Sequence, residues 1–135
     1  MKASYLYLSI LVSAVFPLSP FISSAEAKRS PEYEKCMETV DLGAFKNTQW
    51  ASCAQQEVKR QDTILNIEYN KLRKKLSPDQ RDSLTKGQRS WLKFREDWCR
   101  FEEKGPSAPG GEANYYFCVL EQTDKQIDAI KTLQP

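Results

Sequence analysis

Histidine is absent from this chain of 135 residues. Its absence excludes catalysis by Ser-His-Asp or Cys-His pairs, metal binding through imidazole, and a pH switch based on histidine protonation. A large excess of one charge is also lacking, because 20 Lys and Arg face 18 Asp and Glu, for a net charge of +2. The 40% hydrophobic and 11% aromatic residues that are present are typical of one small globular domain rather than a disordered segment.

The first 27 residues have the pattern of a secretory signal peptide. Lys2 supplies a positive start, an apolar run of 12 residues follows at 5–16, and the segment ends in small residues around Ala25 and Ala27. The apolar run is shorter than the ~20 residues that a membrane-spanning helix needs. We therefore expect a signal peptide at residues 1–27, cleaved after Ala27. The remaining domain, 28–135, is expected to be periplasmic or secreted, without stable membrane insertion.

All four cysteines lie beyond this segment, at Cys36, Cys53, Cys99 and Cys118. An even number of cysteines in an oxidising compartment predicts two disulfides. A zinc site is disfavoured, because the 16, 45 and 18 residues between successive cysteines are longer gaps than structural zinc sites use. The preferred pairs are Cys36–Cys53 and Cys99–Cys118, because Cys53 points away from the apolar seam of its predicted helix. The alternative joins Cys53 to Cys99 and Cys36 to Cys118.

Apolar residues recur at helical spacing through the rest of the chain, and no segment alternates with the period of a β-strand. A short helix is predicted over about 30–40, with proline near its start. Three longer helices are predicted over about 47–76, from 77 to a glycine- and proline-rich loop at 105–111, and over about 114–133. The sequence therefore predicts an all-α fold, a small disulfide-linked bundle of three main helices and a short N-terminal helix.

The second and third helices are predicted to form an antiparallel hairpin, because only one or two residues separate them. Their seams share a 4-and-3 spacing, so that residues facing each other can be assigned by position. This assignment predicts three apolar contacts: Leu72 with Leu84, Leu65 with Trp91, and Val58 with Trp98.

Polar residues interrupt the apolar seam between the second and third helices at two places. Tyr69 is expected to face Gln88, and Asp62 is expected to face Arg95. Glu57 lies about one turn before the second pair and is a candidate second acceptor for Arg95. A partly buried ion pair fixes the register of two helices, whereas acid–base catalysis between two carboxylates would need both close together. We therefore interpret these five residues as a structural polar network.

A spaced pattern of residues covers about 36–133: Cys53-x3-Glu57, Asp62, Leu65-Asn66-x2-Tyr69-x2-Leu72, Gln88-x2-Trp91-x3-Arg95-x3-Cys99, and Cys118 before Thr123. This pattern resembles the lysozyme inhibitor LprI-like N-terminal domain family, formerly a domain of unknown function. The resemblance implies an exported, disulfide-linked helical domain of bacterial envelopes, associated in some members with inhibition of lysozyme. Members named for this activity can be lipoproteins, but no cysteine closely follows the apolar run here.

Charge is unevenly distributed along the chain. Segment 58–100 carries 12 basic and 6 acidic residues, whereas segment 101–128 carries 2 basic and 6 acidic residues. The basic run 71–75 is interpreted as a solvated helix face, because it contains no aromatic residue that would favour nucleic-acid binding. Lysozymes are typically cationic, so an acidic end would help to steer one towards the chain. The candidate partner-binding residues are Glu102, Glu103 and Glu112, at and beside the predicted loop 105–111. A loop of this composition is more often only a connection between two helices.

A binding function is what these features favour. The resemblance implies an inhibitor of lysozyme or a similar cell-wall hydrolase that acts by direct protein–protein binding. The alternative is a general periplasmic interaction module, such as an immunity or stress protein, without inhibitory activity. An enzyme is disfavoured because no nucleophile, histidine or metal cluster is visible. No cofactor, metal ion or nucleic-acid partner is expected.

Overall fold

The structure, a computed structural model, describes residues 29–41 and 47–134. These residues contain no strand, so that the predicted all-α fold is confirmed. The predicted signal peptide lies outside the described residues. The described elements are four helices: α1 (Pro31–Glu38), α2 (Asn47–Lys75), α3 (Pro78–Glu103) and α4 (Gly111–Thr132).

Serine caps define the starts of α1 and α3. The Ser30 side chain accepts a hydrogen bond from the backbone N–H of Tyr33 at 3.1 Å. Ser77 and Gln80 form a reciprocal capping box, in which each side chain accepts from the backbone N–H of the other residue. Because α2 ends at Lys75 and α3 begins at Pro78, the predicted short connection is confirmed.

The loop between α3 and α4 is held by two asparagines. The Asn47 amide donates to the backbone carbonyls of Pro109 and Gly110, while its oxygen accepts from the N–H of Ala113. The Asn114 side chain accepts from the N–H of Gly110 at 3.0 Å and donates to the carbonyl of Ser107 at 3.0 Å. The helix α4 begins at Gly111, three residues before the predicted start at 114. Asn114 therefore lies inside the helix, and its side chain bonds back to the loop.

The core is built around α4, which packs closely against both α2 and α3. One apolar cluster joins Leu65, Leu72, Ile127 and Ile130, with Leu84 and Trp91 packed at its edge. The predicted pairs of Leu72 with Leu84 and of Leu65 with Trp91 therefore lie in the same cluster. A second cluster joins Cys99, Cys118 and Val119, with Val58 packed against it.

The predicted contact between Val58 and Trp98 is wrong. Trp98 is exposed, and Cys99 occupies the buried position that faces Val58 and α4. An α-helix has 3.6 residues per turn, so a seam with strict heptad spacing drifts around the helix unless the helices supercoil. Over the two heptads from 84 to 98 the drift is roughly 40°, which leaves positions 98 and 99 about equally close to the seam. The disulfide to α4 fixes Cys99 on the buried side.

Two disulfides connect the ends of the helices. Cys36–Cys53 joins α1 to α2, with 5.7 Å between the Cα atoms, and Cys99–Cys118 joins α3 to α4, with 5.4 Å. The preferred connectivity is therefore confirmed, and the alternative with Cys53 bonded to Cys99 is excluded. The bridges close loops with sequence separations of 17 and 19 residues. Each bridge lowers the conformational entropy of the unfolded chain and so stabilises the folded one.

Candidate functional site

Asp62 and Arg95 form the ion pair predicted between α2 and α3. The distance from Arg95 Nη1 to Asp62 Oδ1 is 2.7 Å, and the same nitrogen donates to Thr123 Oγ1 of α4 at 2.8 Å. The guanidinium also lies over the Trp91 ring, 5.0 Å from its centroid. The Arg95 side chain is 15% exposed and that of Asp62 is 39% exposed. Arg95 therefore links three helices, and its position in the structure fits a mainly structural role.

Tyr69 and Gln88 do not form the hydrogen bond expected between them. The Tyr69 hydroxyl lies 3.1 Å from Thr85 Oγ1, and Gln88 Oε1 accepts from Gln126 Nε2 of α4 at 2.8 Å. The helix α4 packs against both helices of the hairpin. It therefore supplies the polar partner of Gln88, which an alignment of α2 with α3 alone assigns to α2. Both residues nevertheless line the same groove between α2 and α3.

Glu57 does not join the Asp62–Arg95 pair. It is 3% exposed and accepts from the N–H and hydroxyl of Ser30, at 3.1 and 2.6 Å, and from the Arg60 guanidinium. Burial alone would raise the pKa of Glu57, but the hydrogen bonds from Arg60 and Ser30 outweigh it and lower the pKa from 4.5 to about 2. Glu57 therefore fastens the start of α1 to α2.

An open groove lies between α2 and α3, with a volume of about 340 Å³. The Asp62–Arg95 pair and the Tyr69–Thr85 contact both lie along it. Its remaining lining consists of Leu65, Asn66, Gln88, Arg89 and Leu92. The groove thus combines amide, guanidinium and carboxylate groups with aliphatic surface.

Three aromatic side chains form an exposed ridge on α3, which we call the aromatic ridge: Phe94, Trp98 and Phe101. They are 49%, 44% and 64% exposed. Their ring centroids are 6.2 Å apart for the first pair and 5.5 Å apart for the second. Spacings of four and three residues bring all three to one side of the helix. The heptad pattern misses this ridge because it assigns Trp98 to the buried seam, although the spacing of the three aromatics was visible in the sequence.

The three candidate acidic residues lie in different surroundings. Glu102 borders the aromatic ridge and accepts from Trp98 Nε1 at 2.5 Å. Glu103 instead accepts from Arg100 Nη1 at 3.0 Å. Glu112 is exposed in the first turn of α4, where a negative charge favours the helix dipole. The ridge therefore has one carboxylate in direct contact with it.

The ridge-bearing end of α3 is fixed to α4 beside the Cys99–Cys118 disulfide. Tyr115 donates to Glu96 Oε2 at 2.6 Å, and the Arg100 guanidinium lies 3.9 Å from the centroid of the Tyr115 ring. Burial, followed by the Glu96 carboxylate, raises the pKa of Tyr115 to about 12. These contacts, together with the disulfide, attach the ridge-bearing end of α3 to α4.

The family model described as "Lysozyme inhibitor LprI" matches residues 43–130. The chain belongs to this family. The matched segment includes α2, α3 and most of α4, and therefore both the aromatic ridge and the groove. The match leaves out the first residues of the predicted resemblance, including Cys36, and its last three, 131–133; α1 also lies outside the match. No curated protein and no solved structure matches the chain.

Within residues 29–41 and 47–134, no group of three or more His, Cys, Asp or Glu side chains is arranged to hold a metal ion. The described helices include none that is long and apolar enough to cross a membrane. What the described surface offers instead is the aromatic ridge on a disulfide-linked helix, and the polar groove.

Proposed function

We propose that this protein is exported and inhibits lysozyme, or a similar cell-wall hydrolase, by binding it directly and without catalysing a reaction. The observation that carries the proposal is the aromatic ridge of Phe94, Trp98 and Phe101, exposed on a helix that is fixed at its end by a disulfide. Membership of the lysozyme inhibitor LprI family supports the type of partner.

The aromatic ridge has the composition of an interface centre. Aromatic side chains bury roughly 150–250 Å² each, and tryptophan is among the residues that most often dominate the binding energy of an interface. Trp98 also retains a polar contact through its indole N–H, which donates to Glu102. Exposed aromatic rings so close together cost free energy in water, and a protein partner that covers them would recover it.

Charge complementarity favours a cationic partner at this end of the molecule. Three carboxylates, Glu102, Glu103 and Glu112, lie around the connection from α3 to α4. They belong to segment 101–128, whose net charge is −4 although the whole chain is at +2. Local charge of this kind accelerates the encounter of two proteins more than it tightens the complex. Reversal of Glu102, Glu103 and Glu112 to lysine should therefore weaken inhibition about threefold and reduce its dependence on salt.

The paired cysteines fit best with export of the protein to an oxidising compartment. Both disulfides are formed in the structure, with no free cysteine among the described residues, and such pairs persist in oxidising compartments. Cleavage after Ala27 would leave Arg29 and Ser30 close to the new N-terminus. Both are anchored, because Arg29 pairs with Asp124 at 2.7 Å and Ser30 bonds to Glu57. The proposed mature domain, 28–135, is thus periplasmic or secreted.

The test is a lysis assay with bacterial cell walls, a cationic lysozyme and increasing amounts of the oxidised exported protein. The wild type should slow lysis, and the double variant Trp98→Ser/Phe101→Ser should need at least about tenfold more protein for the same effect. The matched control is Ile67→Ser/Leu133→Ser, which removes two other exposed apolar side chains and should inhibit like the wild type.

Two outcomes would contradict this account. No inhibition by folded wild type at large molar excess would remove lysozyme as the target and leave the general periplasmic interaction module as the better description. Equal inhibition by the ridge variant and the wild type would keep the activity but place the interface elsewhere. Circular dichroism and thermal unfolding of each variant would show that a lost effect is not a lost fold.

A further inference from the structure

The groove between α2 and α3 displays polar groups that the bundle does not use. Asn66 is exposed, and its amide makes no hydrogen bond with the rest of the described chain. Arg89 is also exposed, and it forms no ion pair within residues 29–41 and 47–134. Gln88 uses one end of its amide for Gln126, which leaves the other end for the groove.

The charge of the groove favours an anionic ligand. Its lining contains one carboxylate, Asp62, and two guanidinium groups, Arg89 and Arg95. Since Asp62 and Arg95 are paired at 2.7 Å, Arg89 is left as an uncompensated cation. The surrounding segment 66–93 adds to this bias with eight basic and three acidic residues. A carboxylate fits a guanidinium in a planar, two-bond arrangement.

The shape and remaining chemistry favour a sugar rather than an extended apolar ligand. A volume of about 340 Å³ lies at the lower end of the roughly 300–1,000 Å³ of small-molecule sites. Leu92 is exposed beside the amides of Asn66 and Gln88. A sugar ring offers hydroxyl or acetamido groups to planar amides at its edge, and C–H groups to an aliphatic side chain on its face.

We propose that this groove binds a saccharide that carries a carboxylate. Arg89 pairs with the carboxylate, the amides of Asn66 and Gln88 bond to hydroxyl or acetamido groups, and Leu92 lies against the apolar face of the ring. A lactyl-ether amino sugar of the cell-wall glycan and a uronic acid share this chemistry. The site is separate from the aromatic ridge, because no ridge residue lines the groove.

The experiment is a nuclear magnetic resonance titration of the oxidised exported protein with three disaccharides. The probes are N-acetylglucosaminyl-N-acetylmuramic acid, digalacturonic acid and neutral N,N′-diacetylchitobiose. The side-chain resonances of Asn66, Gln88 and Arg89 report binding directly. An open, small groove should give a dissociation constant of roughly 1–10 mM for an acidic disaccharide. Whichever acidic probe binds more tightly identifies the source of the carboxylate.

Matched variants separate this site from general surface charge. Arg89→Gln should weaken binding of the acidic probe about tenfold, and Asn66→Ala about threefold. Arg73→Gln and Asn70→Ala make the same changes at exposed positions outside the groove and should bind like the wild type. Trp98→Ser/Phe101→Ser should also retain the sugar, so that failure of the proposed inhibition is distinguished from failure of this site.

Three results would overturn the proposal. The first is the absence of saturable shifts at the groove with either acidic disaccharide. The second is equal binding of neutral diacetylchitobiose, which would show that Arg89 does not recognise a carboxylate. The third is equal weakening by Arg73→Gln and Arg89→Gln, which would show that the probe responds to the overall basic surface of segment 66–93.

Discussion

The helices α3 and α4 hold their places in the bundle by different means. Of the 22 residues of α4, nine are buried, whereas Cys99 alone is buried among the 26 residues of α3. Apart from the partly buried Leu84 and Trp91 at the edge of the core, α3 is held by Arg95, by the Tyr115–Glu96 contact and by the disulfide to Cys118. A helix attached through a few strong links keeps large aromatic side chains available for a partner.

Like α3, the short helix α1 is attached to the core by a disulfide and by polar contacts. No residue within α1 is buried, and its attachment to α2 rests on the Cys36–Cys53 disulfide and on the bonds from Ser30 to Glu57. The fully buried apolar core of the described residues therefore lies mainly between α2 and α4, and covalent and polar links contribute more to the attachment of α1 and α3. Substitutions should separate these two modes of attachment.

The largest effect is expected in the apolar core. Ile127→Ala removes a side chain that is fully buried in the cluster shared by α2 and α4, and should cost about 4 kcal/mol of unfolding free energy. Leu92→Ala, on exposed α3 surface, should change it by less than about 1 kcal/mol. Urea denaturation measures both values. Similar losses would contradict the difference drawn between α3 and α4.

The two disulfides should have similar effects on stability and different effects on inhibition. They close loops with sequence separations of 17 and 19 residues, so replacing either pair with serines should cost about 3 kcal/mol. Loss of Cys99–Cys118 should also weaken inhibition of lysis, because it releases the helix end that carries Trp98. Loss of Cys36–Cys53 should leave inhibition near the wild-type value at temperatures where the core is folded.

Acidification should loosen α1 through Glu57. Its pKa is about 2 in the folded chain, against an ordinary value of 4.5, so its stabilising contribution is complete above about pH 4.5 and is lost as the pH falls towards 2. The loss should reach about 2–3 kcal/mol. The variant Glu57→Gln is less stable near neutral pH, and its deficit relative to the wild type should shrink across this window. A constant deficit in pH-dependent urea denaturation would contradict this.

Removal of the Arg95 side chain, which attaches α3 to its neighbours by polar contacts, should give the smallest of these losses of unfolding free energy. Arg95→Ala removes the bonds to Asp62 and Thr123 and the contact with Trp91. We expect a loss of about 2 kcal/mol, less than for a fully buried pair because Asp62 remains partly hydrated. Lys74→Ala, on the solvated face of α2, should lie within about 0.5 kcal/mol of the wild type. Equal, small losses in thermal unfolding of the two variants would contradict the structural role of Arg95.

Features that depend on local periodicity could be predicted from the sequence. The four helices follow from apolar spacing and from serine and proline at their starts, and the disulfides follow from local pairing of cysteines at helix ends. The Asp62–Arg95 contact is also confirmed. It could be predicted because a short turn fixes which levels of two antiparallel helices face each other.

Features that depend on a third element could not be predicted in this way. The partner of Gln88 is Gln126 of α4, and an alignment of α2 with α3 alone contains no information on α4. Glu57 bonds to Ser30, 27 residues earlier in the chain, for the same reason. A strict heptad seam assigns Trp98 to the buried side, but in a helix with 3.6 residues per turn positions 98 and 99 lie about equally close to it. The bond from Cys99 to Cys118 of α4 decides between them.

We propose the aromatic ridge on α3 as the surface that binds a cationic lysozyme. Isothermal titration of the oxidised exported protein into lysozyme tests it most directly, with wild type, Trp98→Ser/Phe101→Ser and the control Ile67→Ser/Leu133→Ser compared under the same salt conditions. We expect the wild type and the control to bind equally, and the ridge variant to bind at least about tenfold more weakly. Binding that is unchanged in the ridge variant, or absent in the folded wild type, would contradict it.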